Sequence, residues 1–164
     1  MRLRTQVHLA MLLAAICTVP AVAHAGQSYH FSGAGGRMGY ASPEDMDGTV
    51  MIGGHVEFEQ RGSRLHLQPN FLYWRYAPWS NVNPNLDVYY HFEHGAGPYL
   101  GGGIGLSIMN DDRPYRSGES DLAANFIGGL RFPGHENNVF VEGRFTASQV
   151  SQISLLGGIT FGVH

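Results

Sequence analysis

The sequence predicts an all-β chain: an eight-stranded antiparallel up-and-down barrel that spans a membrane, preceded by a cleavable signal peptide. Three observations carry that prediction. Short segments alternate apolar and polar positions from residue 29 to the end, as strands with two different faces do. The polar half of the alternation holds charged and amide side chains in strand after strand, too consistently for one side of a soluble core. The first 25 residues have the composition of an export signal.

In that leader Arg2 and Arg4 give a positive start, residues 7–19 are mainly apolar, and Pro20 precedes the small-residue site Ala23-His24-Ala25. Cleavage is expected before Gly26, so residues 1–25 are read as signal peptide and 26–164 as one barrel domain. The apolar run falls short of the ~20 residues a membrane helix needs, and Ile16 before Cys17 does not suit a lipoprotein anchor. Cleavage leaves 164 − 25 = 139 residues without a cysteine, which removes thiol chemistry and disulfides. All ten cationic residues are Arg, and the formal charge of −3 excludes a nucleic-acid surface. Without Arg2 and Arg4, 8 Arg face 13 acidic residues, a formal −5.

The first strand, residues 29–40, is loosened by Gly33, Gly35, Gly36 and Gly39. A loop at 41–48 carries Pro43, Glu44, Asp45 and Asp47. Residues 50–73 read as a hairpin folded about Arg61 and Gly62, with Gly supplying the positive φ of a tight turn. A two-residue turn sets Glu59 opposite Arg64, Phe58 opposite Leu65, Glu57 opposite His66 and Val56 opposite Leu67. Charge then meets charge and apolar meets apolar. Residues 75–84, with Trp79, two Asn and two Pro, are read as a loop.

Strand four, 85–93, sets Leu86, Val88, Tyr90 and Phe92 against Asn85, Asp87, Tyr89, His91 and Glu93. After a turn near Gly95, strand five, 98–109, has Leu100, Ile104, Leu106 and Ile108 on one face and Tyr99, Gly101, Gly103, Gly105 and Ser107 on the other. Such an inward glycine row leaves room for bulky side chains from neighbouring strands. A polar loop at 110–121 follows. Strand six, 122–132, alternates Phe126 and Leu130 with Asn125 and Arg131; strand seven, 139–146, sets Val139, Val141 and Phe145 against Glu142 and Arg144; strand eight is 151–164. Connections after strands one, three and five read as long, the others as short, a rhythm that suits a barrel with one loop-rich and one turn-rich end.

Periodicity alone permits the inverse, a soluble lipocalin-like barrel with the Leu, Ile, Val and Phe set inside. The membrane version is favoured by the export signal, by the near absence of charge from the apolar face, and by aromatics near strand ends such as Tyr29, Phe58, Tyr73, Phe92, Phe132, Phe145 and Phe161. The polar face is then a lumen holding Glu57, Glu59, Arg64, His66, Asp87, His91, Glu93, Arg131, Glu142 and Arg144. An eight-stranded barrel is just wide enough for side chains to fill it, so ion pairs and hydrogen bonds are expected rather than a wide pore. Five carboxylates against three Arg in that set predict an excess of negative charge, hence a cation preference if ions pass.

With its glycine-rich GPYLGGGIGLS strand, closing SLLGGITFGVH and leader, the chain resembles the small outer-membrane β-barrel proteins of Gram-negative bacteria, the OmpX and OmpA-barrel type. The resemblance implies an outer-membrane location, a structural or surface-interaction role, monomeric state, and outer-membrane lipids, lipopolysaccharide and the barrel-assembly machinery as partners. Such families commonly end in an aromatic residue; here Gly162, Val163 and His164 follow the last one, Phe161. Acidic loops would reach lipopolysaccharide phosphates only through bridging divalent cations, with Arg113 and Arg116 able to touch them directly.

Other chemistry is weakly signalled. His91, Glu93 and His94 are metal-ligand types, but His94 points to the opposite face of a strand from the other two. Glu44, Asp45 and Asp47 lack the full calcium-loop pattern. Ser28 and His30 share a face without a companion acid, against the close Ser-His pair of lipid A deacylases. No cofactor and no enzyme activity are expected; a narrow channel and a lipid A hydrolase stand as alternatives.

Overall fold

A computed structural model describes residues 29–60, 62–93, 96–111, 113 and 118–162. The leader at 1–25 lies outside the described residues. Eight strands follow one another: β1 (Tyr29–Pro43), β2 (Thr49–Gln60), β3 (Leu65–Tyr76), β4 (Trp79–His91), β5 (Gly97–Asp111), β6 (Glu119–Pro133), β7 (Asn137–Ala147) and β8 (Gln152–Gly162). Each pairs antiparallel with the next, and β1 pairs with β8 to close the barrel, so no edge is left open.

The alternation read from the sequence becomes the two faces of the wall. Val50, Ile52, Ile104, Leu122, Phe126, Ile153 and Leu155 point outward, with Leu122 75% and Ile104 66% exposed. Inward positions on the same strands carry His55, Glu57, Asn125 and Ser154, all buried. Apolar surface this extensive and continuous is matched to lipid rather than water, and the chain is a transmembrane barrel of the outer-membrane kind. Among the described residues no helix is long and apolar enough to cross a membrane; the crossing is made by strands.

Three expectations are corrected. The hairpin turn is longer than two residues: Glu59 pairs with His66 and Phe58 with Leu67, a register two residues away from the one expected. A shift of two preserves both faces because the side-chain period is two. Ser63 N–H donates to Gln60 O at 2.9 Å, and Gly62 takes φ of 75° inside that turn; Arg61 lies outside the described residues. The supposed loop at 75–84 is mostly strand, since β3 runs to Tyr76, β4 starts at Trp79, and only 77–78 connects them. Pro84 is accommodated within β4, opposite Phe71 of β3. The expected long and short rhythm of connections is therefore broken after β3.

The start of β1, the end of β8 and the ends of the strands joined as β2–β3, β4–β5 and β6–β7 share one end of the barrel, here called the terminal end. At the other end lie the connections 44–48, 77–78 and 148–151, with the end of β5 and the start of β6.

Candidate functional site: the filled lumen

Glycine makes room for the interior. A Cβ on Gly101 would press on the Tyr89 ring at 3.0 Å, and one on Gly103 would meet the Asp87 carboxylate and come within 2.6 Å of Leu86 O. Bulky inward groups of β4 thus lie over the bare β5 backbone, the use expected of that glycine row.

The central layer is a circuit of two arginines and two carboxylates. Arg37 on β1 donates from Nη1 to Glu142 Oε1 at 3.0 Å and from Nη2 to Gln68 Oε1. Arg144 donates from Nη2 to Asp87 Oδ2 at 2.8 Å and to Glu142 Oε1 at 3.1 Å. The hydroxyls of Tyr89 and Tyr99 donate to Glu142 Oε2 at 3.3 and 3.2 Å. Asn70 and Asn125 donate to Asp87 at 2.7 and 3.1 Å. Each carboxylate oxygen is thereby occupied, which is the condition for tolerating charge away from water.

A second layer lies toward the terminal end. Arg131 grips Glu57 through two parallel bonds, Nη1 to Oε1 and Nη2 to Oε2, both 2.8 Å. His66 Nδ1 lies 2.5 Å from Glu57 Oε1. His91 stacks obliquely on His66, with ring centroids 4.3 Å apart, and its Nδ1 is buried without a hydrogen-bond partner.

Seven of the ten residues expected in the lumen are buried inside: Glu57, His66, Asp87, His91, Arg131, Glu142 and Arg144. Three are not buried. Glu59 is partly exposed and bonds His30 at 3.0 Å near the terminal rim. Arg64 is exposed because the longer turn takes it out of β3, and Glu93 is exposed because β4 ends at His91. The expected surplus of carboxylates goes with them: among the described residues three buried acids, Glu57, Asp87 and Glu142, face three buried Arg, Arg37, Arg131 and Arg144. The charge basis for a cation preference is therefore absent from the interior.

Arg37 was not in the expected set. Its glycine-rich strand has weak periodicity, yet Met38 and Tyr40 are large and apolar at the opposite parity, and taking theirs as the lipid face places 37 inward. Its guanidinium also lies 5.1 Å from the centroid of the Phe140 ring.

The loop side of the interior carries no buried charge among the described residues and holds an apolar cluster beside a few hydrogen-bonded amides and hydroxyls. Ala41, Met51, Leu72, Trp74 and Leu156 form a buried cluster, with Met46, Tyr76, Trp79 and Met109 packed against it. Trp74 Nε1–H donates to Gln152 Oε1 at 2.8 Å. Below this plug, a cavity of about 10 Å³ between Tyr89, Tyr99, His91, Arg131 and Glu142 has space for one water molecule. At the loop rim Arg113 is bound to Asp111, Nη2 to Oδ2 at 2.7 Å, and lies 4.9 Å over the Trp79 ring. That hydrogen bond raises the Arg113 pKa and commits its charge locally. Arg116, Asp112, His94 and Ser28 lie outside the described residues.

No protein-family model and no curated protein matches the chain. Solved structures do. The N-terminal β-barrel domain of Pseudomonas aeruginosa OprF superposes with a TM-score of 0.63 at 14% identity, over 82% of this chain and 100% of that one. Neisserial surface protein A gives 0.62 at 13%, covering 81% and 96%. Ail, the attachment invasion locus protein of Yersinia pestis, gives 0.53 at 10%, covering 81% and 97%. At such identities the likeness is one of fold, and it is the fold of the small OmpX and OmpA-type barrels.

Proposed function

We propose that this chain is a bacterial outer-membrane protein, exported on a cleaved leader, whose barrel serves as a sealed scaffold for surface interactions rather than as a pore or an enzyme. The filled interior carries this reading. Ion pairs whose carboxylate oxygens are all hydrogen-bonded occupy the centre, an apolar cluster packs on the loop side, and the cavity between the central circuit and the terminal-side layer holds one water molecule. A pathway for hydrated solutes would require breaking several buried charge-assisted bonds at once. Fold neighbours whose names mark them as a surface protein and an attachment protein support the surface role.

The barrel acts as a monomer in this proposal, inserted by the barrel-assembly machinery, with outer-membrane lipids around its apolar wall. Its loops, acidic at Glu44, Asp45 and Asp47, meet lipopolysaccharide phosphates through bridging divalent cations, because a bare carboxylate repels them. Planar-bilayer recording of the refolded protein tests the sealed scaffold. The expected trace shows no stable channel opening; a reproducible large conductance would overturn the proposal.

A further inference from the structure

We infer that Glu57, His66 and His91 form a binding site for one divalent transition-metal ion of the zinc class, on the terminal side of the lumen. One carboxylate oxygen of Glu57 and one ring nitrogen from each histidine lie within 4.8 Å of one another, and all three residues are buried. They project inward from the consecutive strands β2, β3 and β4, so the hydrogen-bonded wall fixes their spacing. Two imidazoles and a carboxylate are the three-ligand set of open zinc sites, and imidazole selects such ions over magnesium or calcium.

Two further observations concern the same residues. His91 Nδ1 is an orphaned polar atom on a side chain only 1% exposed, a cost that an interaction at this site would relieve. The one-water cavity borders His91 and Arg131, so a water-sized molecule has space beside the site. Arg131, holding both Glu57 oxygens, supplies the outer contact that orients a ligating carboxylate.

Binding replaces the hydrogen bond between His66 and Glu57 by two metal bonds. The ion enters between His66 Nδ1 and Glu57 Oε1 and both atoms become ligands; a proton on Nδ1 moves to Nε2 of a neutral ring, or leaves to solvent from an imidazolium, so that Nδ1 offers its lone pair. Bonds of about 2.0–2.2 Å to each require the pair to part from its present 2.5 Å. Glu57 retains Arg131 through Oε2, so the carboxylate stays doubly compensated.

Isothermal titration of the refolded full-length barrel with zinc chloride, after chelator treatment, tests the site. One equivalent is expected to bind, magnesium chloride is expected to give no saturable heat, and His91→Gln is expected to weaken zinc by at least about tenfold. His30→Gln and His135→Gln, at exposed positions, serve as controls with unchanged affinity. Histidine NMR signals of the unmutated barrel provide a second reading that does not depend on a variant folding: zinc should move those of His66 and His91 and leave those of His30 and His135 in place. Absence of saturable zinc binding, unchanged affinity in His91→Gln, or shifts confined to the exposed histidines would each overturn the assignment.

Discussion

The two ends of the lumen are filled by opposite chemistries. On the loop side Met51, Leu72, Trp74 and Leu156 close the barrel by apolar packing. From the centre to the terminal side the same wall encloses six charged groups that neutralise one another. The apolar plug gains stability from each group separately, through area removed from water and close contact. In the ionic layers no member is stabilising alone, since each charge is tolerable only while its partners hold it. A local change should therefore be felt locally at one end and through the circuit at the other.

The sharpest way to break this contrast is Glu142→Leu. It removes the acceptor shared by Arg37, Arg144, Tyr89 and Tyr99, leaving two buried guanidiniums short of a partner. A loss of about 4 kcal/mol is expected in urea unfolding from lipid vesicles, and adding Arg37→Met should recover part of it. If the double variant is as unstable as the sum of the singles, the circuit is not coupled.

At the apolar end Leu72→Ala should cost about 3 kcal/mol, set by the cavity it leaves. It should add to Glu142→Leu to within about 0.5 kcal/mol, because among the described residues no hydrogen bond of Glu142 involves the plug and the two are joined only through Leu156, which packs with Leu72 and pairs with Glu142. Strong non-additivity would show that the plug and the circuit are one unit. At the terminal rim Glu59→Gln should change stability by less than about 0.5 kcal/mol, as its only described ion-pair partner is the exposed His30. Heat-modifiable gel mobility should be retained in that variant, and its loss would place Glu59 among the structural charges.

Much of the fold was legible because a strand's two faces are written in its period. Inward Glu57, Asp87, Glu142 and Arg144, and outward Ile104, Phe126 and Leu155, follow from parity alone, and parity survives even the two-residue error in the hairpin register. Strand ends were less legible. Asn81, Asn83 and Pro84 are turn-forming by composition, yet as part of β4 the two asparagines point inward, where Asn81 donates to Ser107 and Asn83 to Leu106 O. Tertiary pairing outweighed local preference there. Arg64 and Glu93 fall outside the strands because parity names a face without saying where the strand stops, while Glu59 keeps the inward face of β2 opposite His66 but stands partly exposed at the rim.

The sequence by itself determined that eight alternating segments would make a closed wall with lipid outside and a narrow, mostly polar interior. Only the tertiary structure decided who meets whom across that interior. Arg37 and Glu142 are 105 positions apart, and Glu57 and Arg131 are 74 apart. Neither separation is encoded in a two-residue period, which fixes direction from the wall but not partners on the opposite side. Closure of β1 on β8, together with the inclined register of every pair between, brings those charges together, and it also sets a hydrophobic plug above them.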